Sequence, residues 1–192
     1  MDSAARRDAA LRPVGGIPRY TRTARALHWL TALLVAAVLP LAWIATSLAK
    51  EDPAKPVVFQ FHKSVGLTIL ALVALRILWR ALHPPPPDTV EPAGLALIGR
   101  INHWLLYAVF LLMPVSGFLL SAYNGNTTQF FYLFPIPGFA KDEALRETFK
   151  FVHLAGQYAV YALVGLHVAA TVWHAAIRRD AVLARMLPQR LG

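Results

Sequence analysis

Four apolar stretches, approximately Leu27–Leu48, Val57–Leu82, Ile101–Ser121 and Phe151–Ile177, each reach the roughly 20 residues that a helix needs to span the hydrocarbon core of a bilayer. The pattern predicts an all-α membrane protein, a four-transmembrane-helix bundle. Composition agrees, since 57% of the 192 residues are hydrophobic and only 15% are charged, where a soluble domain carries about a quarter charged residues. The second and fourth stretches exceed the minimum, which predicts tilt or ends that project into the interface. Pro40 and Pro114 predict local kinks of the kind membrane helices tolerate. The first stretch has an arginine-rich leader and a cleavage-like Ser47-Leu48-Ala49. Its apolar run is longer than that of a signal peptide and opens with His28 and Trp29, so it is read as a retained span. The expected organisation is a basic N-terminal extension over 1–18, a four-helix domain over 19–188 and a tail over 189–192, with Pro84–Pro87 as a stiff connector between helices two and three.

Charge orients the bundle. Thirteen of the fourteen arginines lie in the N-terminal segment, around the second loop (Arg76, Arg80, Arg100) or in the C-terminal segment, and all five lysines fall on the opposite side. By the positive-inside rule the arginine side faces the cytoplasm, so both termini are expected to be cytoplasmic. The net charge of +9 is assigned to topology and anionic lipid, and no nucleic-acid partner is expected.

Cysteine is absent, which excludes thiolate-bound iron–sulfur clusters, disulfides and covalent c-type haem. A metal centre must then rest on histidine, methionine or carboxylate. His153 and His167 lie fourteen residues apart in the fourth stretch, so they project from nearly the same helix face, about 21 Å apart in height. Depth sorts the remaining histidines around them: His62 joins His153 in an outer pair, His28 and His103 join His167 in an inner set, and His174 lies near the inner surface. A polar side chain inside a span is costly unless it faces the bundle interior and finds a partner. Neutral imidazole is an ordinary axial ligand of haem iron.

Two bis-histidine b-type haems are therefore the leading expectation, with His62 and His153 on the outer iron and His28 and His167 on the inner one. The competing readings are interfacial histidines at helix ends, zinc, for which a two-histidine site lacks a third ligand, and His103 in place of His28. Arg76, fourteen residues from His62, is placed to pair with a propionate of the inner haem or to snorkel as a topology arginine. Gly66, Gly117, Gly156 and Gly165 either admit a porphyrin plane or mark helix contacts. His83, beside the proline run, is expected in a solvent-exposed loop without a role.

The segments Ala26-Leu27-His28-Trp29-Leu30, Phe61-His62-Lys63-Ser64-Val65-Gly66, Asn102-His103-Trp104-Leu105-Leu106-Tyr107 and Gly165-Leu166-His167-Val168-Ala169-Ala170 resemble the bacterial cytochrome b561 family. So do Met113-Pro114-Val115-Ser116-Gly117, Tyr123-Asn124-Gly125-Asn126 and Leu183-Ala184-Arg185-Met186-Leu187-Pro188, so that the resemblance runs from Arg19 to Pro188.

The resemblance implies a four-helix inner-membrane dihaem protein whose iron ligands match His28, His62, His153 and His167. For the branch it most resembles it implies superoxide oxidase activity, an oxidoreductase that takes electrons from periplasmic superoxide and passes them to ubiquinone. On that reading Lys63 and Lys150, which flank the outer ligands, steer superoxide toward the haem edge. His174, His103, Asn102 and Arg25 form the expected quinone site, where an imidazole relays protons, with Trp29, Trp104 and Trp173 as walls or as an aromatic belt. The alternative is a cytochrome b subunit that passes electrons between a partner oxidoreductase and the quinone pool.

Overall fold

The computed structural model describes residues 17–87 and 92–187. The basic extension, except for its last two residues, and the tail over 189–192 lie outside the described residues. The chain forms helices α1 (Arg22–Ser47), α2 (Ala54–Leu82), α3 (Ala93–Tyr123) and α4 (Glu143–Trp173), the last continuing into a π-turn over His174–Arg178. All four are long and apolar enough to cross a membrane.

Helix starts follow local chemistry. Thr21 caps α1 by accepting from the Ala24 amide at 3.2 Å, and Asp142 caps α4 by accepting from the Leu145 amide at 3.0 Å. α1 runs through Pro40 and α3 through Pro114 without ending. α3 and α4 each begin eight residues before the apolar stretch that marks them, at 93 rather than 101 and at 143 rather than 151. The added turns of α4 are polar and are closed by pairs one turn apart, Arg146 with Glu143 and Lys150 with Glu147.

Packing is that of a protein in lipid. The residues most removed from the surface include Thr31, Ser64, Ser116 and Asn102, whereas Leu33, Leu78, Tyr158 and Val172 point outward. Small and hydroxylated side chains let helices approach, and the hydroxyls of Thr31, Thr68 and Ser116 are satisfied by the helix itself, whereas Ser121 Oγ is buried without a partner among the described residues. Thr31 donates to the Leu27 carbonyl at 2.7 Å, Thr68 to Ser64 at 2.8 Å and Ser116 to Met113 at 3.0 Å. Val35, Val65, Ile69 and Val73 form the buried apolar centre between α1 and α2. Close backbone packing joins α1 to α2, α2 to α3 and α3 to α4, but not α4 to α1 or α2. α1 and α4 meet instead through long side chains, as where the Trp43 indole donates to the Tyr161 hydroxyl at 2.8 Å.

Each end of the bundle has its own closure. Between α3 and α4 lies an antiparallel hairpin absent from the sequence reading, β1 (Thr128–Phe130) and β2 (Phe134–Ile136), with Phe130 opposite Phe134. It sits on α2: Ser64 Oγ accepts from the Phe131 amide at 2.8 Å and shares its one proton between the Gln60 carbonyl at 2.8 Å and the Gln129 carbonyl at 3.2 Å, and Gln60 Oε1 accepts from the Gln129 amide at 3.1 Å. At the termini end, Arg185 donates to the carbonyls of Pro18, Pro86 and Pro87 at 2.8–3.0 Å, clasping the segment before α1, the proline connector and the C-terminal segment together.

Candidate functional site

Two pairs of imidazole rings lie between helices whose backbones stand apart. At the hairpin end His62 of α2 faces His153 of α4 with ring centres 6.2 Å apart and planes at 88°. At the termini end His28 of α1 faces His167 of α4, again at 6.2 Å, with planes at 61°. His103 of α3 also reaches His167, at 5.4 Å. α4 therefore supplies one ring at each level, as the fourteen-residue spacing requires.

The rings at the hairpin end are aimed by backbone carbonyls. His62 Nδ1 lies 3.2 Å from the Val38 oxygen, and His153 Nδ1 lies 3.0 Å from the Met113 oxygen and 3.2 Å from Ser116 Oγ. A carbonyl only accepts, so each Nδ1 carries the proton and Nε2 keeps its lone pair, the tautomer in which histidine binds a metal. Gly117 makes this possible on α3, because a Cβ there would stand 2.7 Å from His153 Cε1. Gly156 serves the α3–α4 contact in the same way, since its Cβ would meet Met113 Sδ at 2.5 Å, whereas at Gly66 and Gly165 an added Cβ meets nothing within 4 Å.

The inner pair has different company. Arg76 Nη2 lies 3.2 Å from His28 Nδ1, and its guanidinium stands over the Tyr107 ring at 5.4 Å. The contact puts Arg76 beside His28. His83 lies exposed just past the end of α2 as its cap residue, stacks on Trp79 with centres 3.9 Å apart, and lines a cavity with Arg76, Arg80, Tyr20 and Met186. An exposed ring next to a tryptophan one turn away gains apolar contact by stacking.

The two lysines expected to steer superoxide are unequal. Lys150 Nζ is paired with Glu147 at 3.1 Å, which Arg146 also contacts at 2.6 Å, while no carboxylate pairs with Lys63 among the described residues. The four residues expected around a quinone fall into separate settings. His103 turns to His167, His174 Nδ1 lies 2.5 Å from Asp180 Oδ2, and Arg25 donates to the Leu187 carbonyl at 2.6 Å. Asn102 is buried with its Oδ1 unpartnered among the described residues. Asp180, which the sequence reading missed, also accepts from the Val182 amide at 3.1 Å and pairs with Arg178 at 3.4 Å. Its signal was available, because it is the single acidic residue after α4 in a segment rich in arginine.

Imidazole nitrogens bind first-row metal ions at about 2 Å and lie about 1.1 Å from the ring centre, so two rings sharing one ion stand about 6 Å apart. Both pairs meet that spacing. Two ligands suit an ion whose other ligands come from a macrocycle; among the described residues no group of three or more His, Asp or Glu side chains converges to hold a bare ion. The residues present fit b-type haem.

Comparison with known proteins agrees with this geometry. The chain is 29% identical over 177 residues to a protein of Yersinia pestis named probable superoxide oxidase CybB, covering 91% of this chain and 98% of that one. It is 28% identical over 171 residues to cytochrome b561 homolog 2 of Escherichia coli (strain K12), covering 88% and 91%, and 26% identical over 178 residues to homolog 1, covering 90% and 98%. The profile described as prokaryotic cytochrome b561 matches residues 19–189, and with that span of the chain accounted for, the protein belongs to the prokaryotic cytochrome b561 family.

Proposed function

We propose that this chain is a dihaem cytochrome b of the bacterial inner membrane that carries electrons from superoxide at the periplasmic face to ubiquinone. The observation that carries the reading is the repeated 6.2 Å separation of imidazole pairs, one at each level of the bundle. His62 and His153 hold the outer haem, and His28 and His167 the inner one. Bound haem iron supplies a one-electron carrier that no side chain here offers. The termini end, which carries Arg22, Arg25, Arg80 and Arg100, faces the cytoplasm. The name of the Yersinia pestis relative supports superoxide as donor.

The overall reaction balances as two superoxide anions giving up one electron each and leaving as dioxygen, while one quinone gains two electrons and two protons. No acid or base is required at the outer end, where Lys63 offers an unpaired positive charge to an incoming anion and Lys150 shares its charge with Glu147. The two protons enter at the inner end. His174, hydrogen-bonded to Asp180, holds a proton there at Nδ1 for relay to the quinone, while Arg25, Asn102 and His103 lie at the same end of the bundle in separate settings of their own.

Rapid mixing of the purified protein with superoxide tests the reading. Reduction of a b-type absorption band faster than spontaneous dismutation, followed by reoxidation on adding a short-chain ubiquinone, is the expected result. No reduction above that background rejects superoxide as donor, and co-purification of a stoichiometric dehydrogenase would favour an electron-transfer subunit instead.

A further inference from the structure

The two histidine pairs differ in the charge beside them. On the outer side both Nδ1 groups face carbonyl oxygens, which draw on the N–H and raise the basicity of the ligand nitrogen. On the inner side a guanidinium stands 3.2 Å from His28 Nδ1. We propose that Arg76 holds the inner centre at a higher reduction potential than the outer one, and so sets the direction of electron flow. The inference rests on the dihaem reading above.

Reduction of a bis-imidazole iron removes one positive charge, so a fixed neighbouring cation favours the reduced form and electron-rich ligands favour the oxidised one. Arg76 is such a cation: arginine stays protonated in proteins, and no carboxylate pairs with it among the described residues. Its place is held by the Tyr107 ring beneath it. A guanidinium only donates, so His28 Nδ1 accepts from Arg76 in this contact; a His28 ring that offered Nε2 to iron would carry its proton on Nδ1, and Arg76 would then keep its charge beside the ring without that hydrogen bond. Partial burial also weakens solvent screening. The outer end has a cation as well, Lys63, but it leaves α2 about 100° around from His62, and among the described residues the outer rings bond to Val38, Met113 and Ser116 rather than to it.

An optical redox titration of the full-length protein tests this without turnover. The unmodified protein is expected to titrate in two waves, with His28→Ala removing the high-potential wave and His62→Ala the low one. Arg76→Gln is expected to lower the high-potential wave by at least tenfold in equilibrium constant, about 59 mV for one electron, while the low wave stays in place. Arg76→Lys should recover most of that shift. Loss of the high wave in His62→Ala rather than His28→Ala overturns the proposal even where Arg76→Gln fails to accumulate, and so does an Arg76→Gln titration that matches the unmodified one. A preparation with one b-type centre or none overturns the dihaem reading and the inference together, and its spectrum shows this before any titration.

Discussion

Gly117→Ala adds one carbon at the tightest point of the outer site. The new Cβ would stand 2.7 Å from His153 Cε1, 3.0 Å from Nδ1 and 3.4 Å from Nε2, where carbon contacts normally rest at about 3.5–4.0 Å. The ring must therefore move by about 1 Å, or α3 must move away from α4. Moving the ring gives up its bonds to the Met113 carbonyl and Ser116 hydroxyl, at about 1 kcal/mol each. Moving the helices is overpacking, at about 1–3 kcal/mol. Either route gives about 2 kcal/mol, which is on the order of thirtyfold in the affinity of the outer site. The expected result is a fall in haem content toward one per chain, with the remaining spectrum that of the inner centre. Gly99→Ala, also on α3 but with nothing within 4 Å of its new Cβ, should keep both. If Gly117→Ala retains two haems with unshifted spectra, His153 is not held against α3 in the loaded protein and the assignment of the outer site fails.

Lys63→Gln should slow reduction by superoxide severalfold and flatten its dependence on ionic strength, whereas Lys150→Gln, whose charge is already shared with Glu147, should change the rate by less than about twofold; rapid mixing at two salt concentrations checks both. Ser64→Ala leaves the Phe131 amide without its partner, at about 1–3 kcal/mol, and should speed proteolysis and hydrogen exchange across residues 128–136 while helix content holds. Burial raises the Asp180 carboxyl, but hydrogen bonds from His174 and Val182 and the charges of His174 and Arg178 outweigh it, so the group titrates below the ordinary carboxylate range. A depressed carboxylate contributes stability that is present above its unfolded value, about 3.9, and lost as pH falls through the lower folded value. Protease protection of the C-terminal segment should therefore hold at pH 5, collapse below about pH 4, and lose its pH dependence in that range in Asp180→Asn.

The parts that could be read from the chain are those fixed by a repeat distance. A span needs a set number of apolar residues, so Leu27–Leu48 and its three counterparts announce helices, and a rise of about 1.5 Å per residue converts positions 28, 62, 153 and 167 into depths that leave few ways to pair them. Arg76 follows from the same count. The hairpin does not. Its turn places Phe131 and Tyr132 at φ of 47° and 59°, a region that glycine and asparagine signal and aromatic residues do not. The bonds that hold the hairpin come from Gln60 and Ser64, more than sixty residues earlier in the chain. Asp180 was hidden for a related reason, since it reaches His174 only because α4 widens into a π-turn and reverses at Arg179 with φ of 52°. The unequal lysines depended on which acid each side chain met, and composition gives only the total.

The bundle's uneven packing then has a consequence for its stability. α3 packs on α2 and more extensively on α4, where Gly117 and Gly156 bring the helices close and the Met113 carbonyl receives His153. α4 is thereby fastened on one side, and its other side, with both of its histidines, faces α1 and α2 across side chains alone. Whatever joins His62 to His153 and His28 to His167 therefore acts as a crosslink between the α1–α2 pair and the α3–α4 pair, at the two places where backbone packing is missing. A group that binds only the folded arrangement adds its binding free energy to folding. The outer crosslink is backed by the hairpin on Ser64. The inner one is backed by the Arg185 clasp on Pro18, Pro86 and Pro87. The inner histidine pair therefore depends on segments far from it in sequence, and Arg185→Ala should loosen haem at His28 and His167 before it affects His62 and His153.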